Sequence, residues 1–155
     1  MKTRRSWREK MENPNLPKIV AAFPRMRERF GDGGMLVPSP REVEAYIREV
    51  PEGYLTTATR IRNFLAEKHL AAVTCPLTTG IFIRIAAEAA EEDRVLGRTP
   101  VTPYWRVVKE DGSLYDKFPG GAVRQREKLT AEGHRFVPGG IGRTPKVVLT
   151  AGKVW

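Results

Sequence analysis

From residue 39 onward the chain alternates between stretches of helical apolar spacing and Gly/Pro punctuation. Ser39-Pro40-Arg41-Glu42 reads as a helix start. A serine can accept a backbone N–H, proline suits the first helical position, and a glutamate three residues after the serine closes a capping box. Val43, Tyr46, Ile47 and Val50 then recur at helical spacing, so one face is apolar, and Pro51-Glu52-Gly53 ends the helix. Thr56 and Thr57 can cap a second helix with Ile61, Phe64 and Leu65 on one side. A turn near Val73-Thr74-Cys75 follows. Pro76 then opens a third helix through Ile81, Phe82, Ile85 and Ala86 to about Arg94. Helix, short turn, helix is the outline of a helix-turn-helix, an outline that many all-α domains share.

The flanks carry weaker periodicity. Residues 1 to about 37 are basic and broken by Pro14, Pro17, Pro24 and the Gly31-Asp32-Gly33-Gly34 turn. They read as an arm with one short helix, packed on the core through Trp7, Phe23 and Phe30. After Leu96-Gly97-Arg98, the run Val101 to Val108 reads as a loop entering a short strand, and Lys109-Glu110-Asp111-Gly112 as a turn. A last helix is expected over about Ala122 to Ala131, stopped by Gly133. The expected organisation is a basic arm (1–37), a domain (38–134) and a C-terminal hairpin or tail (135–155) that includes Val147-Val148-Leu149.

Composition narrows the function classes. A chain of 155 residues at 41% hydrophobic can bury a core. Its 27 Lys+Arg against 18 Asp+Glu give a formal net charge of +9. That charge favours nucleic acid over an acidic membrane or a small anion, with mere solubility as the competing reading. The single cysteine, Cys75, excludes an intramolecular disulfide. With it and only two well-separated histidines, His69 and His134, no Cys–His zinc cluster is expected, and no cofactor. No stretch approaches the ~20 apolar residues of a membrane span. The basic start lacks the apolar run of a signal peptide, so a reducing cytoplasm is expected, with nucleoid association in a prokaryote.

Pro103-Tyr104-Trp105-Arg106-Val107 resembles the active-site segment of the alkylguanine-DNA alkyltransferases, which carry Pro-Cys-His-Arg-Val there. Asp111-Gly112-Ser113-Leu114, the Gly120-Gly121 pair and Glu132-Gly133 follow in that family's order and near its spacing. Upstream, Pro51, Gly53, Thr56 and Thr57 are similar to the stretch leading into the family's helix-turn-helix. The resemblance covers residues 36 to 134. It implies a mainly α fold with minor β, a winged helix-turn-helix DNA-binding domain.

The departures from that pattern decide what the resemblance implies for activity. In the family the Cys accepts the alkyl group, activated through a water by the His, which a Glu orients. Here Tyr104 stands at the Cys position and Trp105 at the His position, while Glu132 matches the Glu. A phenol ionises near pH ~10 against ~8.5 for a thiol and is a far poorer soft nucleophile. An indole N–H cannot act as a base. The resemblance is therefore to the alkyltransferase-like proteins, in which a Trp replaces that Cys, an aromatic that this chain shares in kind but not in identity; they bind alkylated DNA without repairing it and pass it to other repair machinery. Two further departures fall in the helix-turn-helix. Ala58 stands where the family has a Tyr, and the Arg that fills the hole left by a flipped nucleotide falls near Gly80, with Arg84 one turn later.

Site expectations follow. Pro103, Tyr104, Trp105, Phe118, Gly120 and Gly121 are expected to form a lesion pocket, against the reading that two aromatics beside a proline are ordinary core. Thr57, Arg60, Thr78, Thr79, Gly80 and Arg84 are expected at the DNA, against a solvated helix face. Arg106 and Glu132 are expected to be structural. Cys75, at a helix start, is either a reactive thiol or a buried inert one. The expected partner is damaged double-stranded DNA, with a repair protein beyond it, and the expected state a monomer acting without catalysis. Two alternatives stay open. Glu132, Glu110 or Asp111 could activate water for base chemistry, or the domain could bind DNA generally without reading damage.

Overall fold

The computed structural model describes residues 3–155. The residues that form the centre of the fold do so for local reasons visible in their backbone. Helix α3 (Pro40–Glu49) begins where the Ser39 hydroxyl accepts from the Glu42 N–H at 3.2 Å and the Glu42 carboxylate accepts from the Ser39 N–H at 3.4 Å. Such a cap contributes about 1 kcal/mol. Val43 and Ile47, one turn apart, are fully buried on its inner face. Val50 takes an extended conformation ahead of Pro51 and stops the helix.

Strand β3 (Thr56–Thr57) leads directly into α4 (Ala58–Lys68), where the Thr57 hydroxyl accepts from the Arg60 N–H at 3.3 Å. After a left-handed turn at Leu70 and the short strand β4 (Val73–Thr74), α5 (Pro76–Val95) runs for 20 residues. It forms the spine of the molecule. Its inner stripe is Thr79, Ile83, Ala86, Ala87 and Ala90, and these small side chains let α3 and α4 approach closely. Helix α4, the connection 69–75 and α5 thus form a helix-turn-helix within a mainly helical fold.

A 3₁₀ turn (Tyr104–Arg106) passes into β5 (Val107–Val108), which pairs parallel with β3, Thr56 opposite Val107 and Thr57 opposite Val108. Helix α6 (Gly121–Ala131) closes the far side through Ala122, Gln125 and Leu129. Beyond it, β6 (Phe136–Val137) and β7 (Lys146–Val147) form an antiparallel pair. The chain then returns across the surface: the Leu55 N–H donates to the Lys153 carbonyl at 2.9 Å and the Trp155 N–H to the Leu55 carbonyl at 2.6 Å.

The N-terminal region is built in rather than loose. Helix α1 (Trp7–Lys10) offers its first backbone N–H groups to one carboxylate of α5, Glu92, at 2.7 Å from Trp7 and 3.0 Å from Arg8. The Arg8 guanidinium spans both Glu44 oxygens, at 2.9 and 2.8 Å, and also reaches Asp93. Strands β1 (Lys18–Val20) and β2 (Met35–Val37) are antiparallel, and β2 pairs parallel with β4. Between them lies α2 (Pro24–Phe30). Trp7 packs on the core as expected, but Phe23 and Phe30 are 63% and 45% exposed, because β1 and β2 hold α2 at the rim and away from the core. Ile81 lies on the outer side of α5. It is 47% exposed, because the alanine stripe rather than the Ile81 side sets the buried face of α5. Among the described residues no helix is long and apolar enough to cross a membrane.

Candidate nucleic-acid interface

The segment Pro103 to Val107 is fixed from three sides. Tyr104 is 1% exposed and packs edge-on against Trp105 and Phe118, with ring centroids 5.4 and 5.5 Å away. Its hydroxyl donates to Glu91 Oε1 of α5 at 2.8 Å. Burial pushes the Tyr104 phenol well above its ordinary value, and the Glu91 carboxylate pushes it the same way. Glu91 itself is held below the usual carboxylate range: burial acts to raise it, but hydrogen bonds from Arg94 and Tyr104 outweigh that.

The neighbouring side chains make a second buried cluster. The Trp105 indole N–H donates to Glu132 Oε1 at 2.6 Å. Arg106 Nε lies 3.0 Å from both Glu132 oxygens, and Arg106 Nη1 donates to the Val50 carbonyl at 2.6 Å. The Lys128 ammonium sits 4.4 Å from the Trp105 ring centroid. From α6, the Gln125 amide donates to the carbonyls of Trp105 and Val107 at 3.1 and 2.7 Å and accepts from the Tyr115 N–H at 2.8 Å. Gly120 and Gly121, at φ +76° and +70°, make the left-handed entry into α6 that a side chain would strain. Phe118, just before them, stacks on Tyr115 at 4.5 Å. Of the six residues expected at the pocket, Tyr104, Trp105 and Phe118 pack together, with Pro103 leading into them and Gly120-Gly121 following Phe118 into α6. Trp105 and Phe118 cover the Tyr104 ring in this conformation.

The expected DNA-contact residues separate into two groups. Arg60, Gly80 and Arg84 are exposed and Thr78 is half-buried. Thr57 and Thr79 are buried, which corrects their expected role. The Thr57 hydroxyl caps α4, and the Thr79 hydroxyl donates to the Cys75 carbonyl at 2.7 Å, so neither faces solvent. Cys75 is buried against Ala22 and Met35. Two apolar residues near Gly80 are exposed on the outer face of α5: Leu77, at 72%, and Ile81, at 47%. From Pro76 to Arg84 this helix has no acidic residue.

The carboxylates considered for base chemistry are all engaged. Glu132 is paired as above. Asp111 is held far below its ordinary range, chiefly by hydrogen bonds from Ser113 and also by Lys146. Glu110 accepts from the Thr59 N–H at 3.3 Å; burial acts to raise its carboxyl, but hydrogen bonds from Thr59 and Thr57 hold it low. Among the described residues no three His, Cys, Asp or Glu side chains cluster closely enough to hold a metal ion.

No protein-family model matches the sequence, and no curated protein matches it. Among solved structures, the crystal structure of S. pombe Atl1 in complex with damaged DNA containing O6-carboxymethylguanine is similar, with a TM-score of 0.47 and 18% identity. The likeness covers 75% of this chain and 93% of that one.

Proposed function

We propose that the protein binds duplex DNA through the outer face of α5 and holds an alkylated or otherwise damaged base against the Tyr104–Trp105 segment, without transferring the alkyl group. The observation that carries this reading is the Trp105–Glu132 hydrogen bond. On the sequence resemblance the indole stands at the position of the alkyltransferases' general-base imidazole; it donates to Glu132, the match to their orienting carboxylate, and has no lone pair with which to take a proton. The buried, carboxylate-bonded Tyr104 phenol supports the same reading, since it is kept neutral. A segment that retains the architecture of an acceptor site without an acceptor is suited to recognition.

A base reaches Tyr104 only when the wall carrying Phe118 and the Gly120-Gly121 pair moves aside. A base stacked on an aromatic of this segment would contribute about 1–3 kcal/mol. Exposed Leu77 and Ile81 beside Gly80 then stand where an apolar wedge would support the vacated stack. Catalysis on the same scaffold is the weaker reading, because Glu110, Asp111 and Glu132 are each tied to a donor.

Burial of Tyr104 favours one alternative, a general DNA binder with no lesion pocket. Competition separates the two. Labelled duplex carrying 6-O-methylguanine, displaced by excess unlabelled plain duplex, should stay bound if the lesion is recognised and be released in proportion to concentration if it is not. Product analysis of the same reaction should find the modified base intact.

A further inference from the structure

The geometry points to a second DNA-contact element in the segment 18–37. Helix α2 places Arg25 and Arg29, with Arg62 of α4, on the phosphates of the strand adjoining the stretch held by α5. This rests on the DNA-binding reading above and extends it to a region outside residues 38–134.

The attachment of α2 is the first reason. Strand order in the sheet is β1-β2-β4, and β4 is part of the connection between α4 and α5. Met35 lies opposite Val73 and Leu36 opposite Thr74. The Cys75 N–H donates to the Leu36 carbonyl at 2.8 Å and the Ala72 N–H to the Gly34 carbonyl at 3.1 Å. Met26 of α2 packs on the small buried cluster of Ala22, Met35 and Cys75, directly before the first residue of α5. The position of α2 is thus set by the same few residues that set the start of α5, and the cleft beside α2 reaches Pro76, the first residue of α5.

The chemistry of the groove between them is the second reason. A cleft of about 490 Å³ runs between α2, contributing Met26, Arg29 and Phe30, and α4, contributing Thr59, Arg62 and Asn63, and it ends at Pro76 of α5. No residue lining it is acidic. Glu110 stands at one end, already accepting from the Thr59 N–H. Arg25 and Arg29 are one helical turn apart, so they share a face, and among the described residues neither forms an ion pair. Arg29 lies 5.2 Å from the ring of Phe30, which is 45% exposed. Unpaired arginines beside an exposed aromatic and hydroxyl and amide donors match a sugar–phosphate backbone rather than an apolar protein surface.

The test uses the full chain and a double variant, Arg25→Gln with Arg29→Gln, both positions being exposed and unpaired so that the melting temperature should not move. Fluorescence anisotropy titrations on plain duplex are run across a potassium chloride series. Two lost phosphate contacts should lower the salt slope by about 2. Between 50 and 200 mM salt the variant should then lose roughly tenfold less affinity than the wild type. The loss at fixed low salt should be equal for damaged and plain duplex, because phosphates carry no lesion information. If the wild type binds duplex and the variant matches it in affinity and slope, α2 is not a DNA contact while the reading of α5 stands. If the variant loses binding to another protein and not to DNA, the inference is likewise overturned. If the wild type binds no duplex at all, the DNA-binding reading fails, and this inference with it.

Discussion

Trp105 and Glu132 are joined by a 2.6 Å hydrogen bond between residues 27 positions apart, and the indole that donates it has no lone pair with which to take a proton. Glu132 also pairs with Arg106, and the two side chains are only 7% and 14% exposed. Removing one partner of a buried pair costs about 3–5 kcal/mol, because the other charge is left uncompensated. Glu132→Gln should therefore lower stability by about 3 kcal/mol, which is roughly 6–12 °C of melting temperature at this chain length. Trp105→Phe leaves the ion pair intact and should cost clearly less. Thermal unfolding followed by circular dichroism checks this; equal melting temperatures for the two variants would remove the ion pair from the account.

Acid should destabilise the fold within a defined window. Burial acts to raise the Glu42 carboxyl, but hydrogen bonds from His69, Ser39 and Lys68 outweigh it and hold it below its ordinary value, and Glu91 and Glu110 are shifted the same way. A lowered carboxyl binds its proton more weakly in the folded state than in the unfolded one. Its contribution is present above the ordinary carboxylate range and is lost as pH falls through the folded values. Urea midpoints should drop between about pH 5 and pH 3 as these carboxylates take up protons. A midpoint unchanged from pH 7 to pH 3 would mean these carboxylates are not held as described.

No alkyl group should reach the protein. Tyr104 is neutral, buried and bonded to Glu91, and Trp105 offers no base. Intact mass after incubation with duplex carrying 6-O-methylguanine should equal the starting mass. A gain of one methyl group mapped to Tyr104 or Cys75 would overturn the non-catalytic reading.

Duplex binding should be strongly salt-dependent. With a net charge of +9 and roughly 4–6 phosphates neutralised, the slope of log affinity against log salt should be about −4 to −5. A flat response up to physiological ionic strength would sink the nucleic-acid reading.

The parts of the fold that were legible in the sequence are those whose cause is local. Ser39 with Glu42, Thr57, and the prolines 40 and 76 mark helix starts by their own hydrogen-bonding and backbone chemistry, and each start falls there. The inward face of α5 was not legible, because alanines at 86, 87, 89 and 90 give no preference between faces. The sheet that carries α2 was invisible for a different reason. Strands of two or three residues have no period to read, and their pairing joins residues nearly forty positions apart. Within the candidate site, the residue types at 103–107 singled out a segment that the structure ties to α5 and α6. The Glu91 that holds the Tyr104 hydroxyl, and the Gln125 that ties the segment to α6, act across distances that composition and spacing do not encode.

The central claim is that a damaged base is held at Tyr104, and the most direct measurement is the ratio of dissociation constants for plain and 6-O-methylguanine duplex, in the wild type and in Tyr104→Leu. Leucine keeps much of the buried volume, so a folded variant can be verified by its melting transition before binding is measured. The wild type should prefer the damaged duplex. The variant should lose about 1–3 kcal/mol on damaged DNA, one base–aromatic stack, while its affinity for plain duplex barely changes. A folded variant that loses equal affinity for both duplexes, or none for either, would contradict the account and leave a plain DNA-binding module in its place.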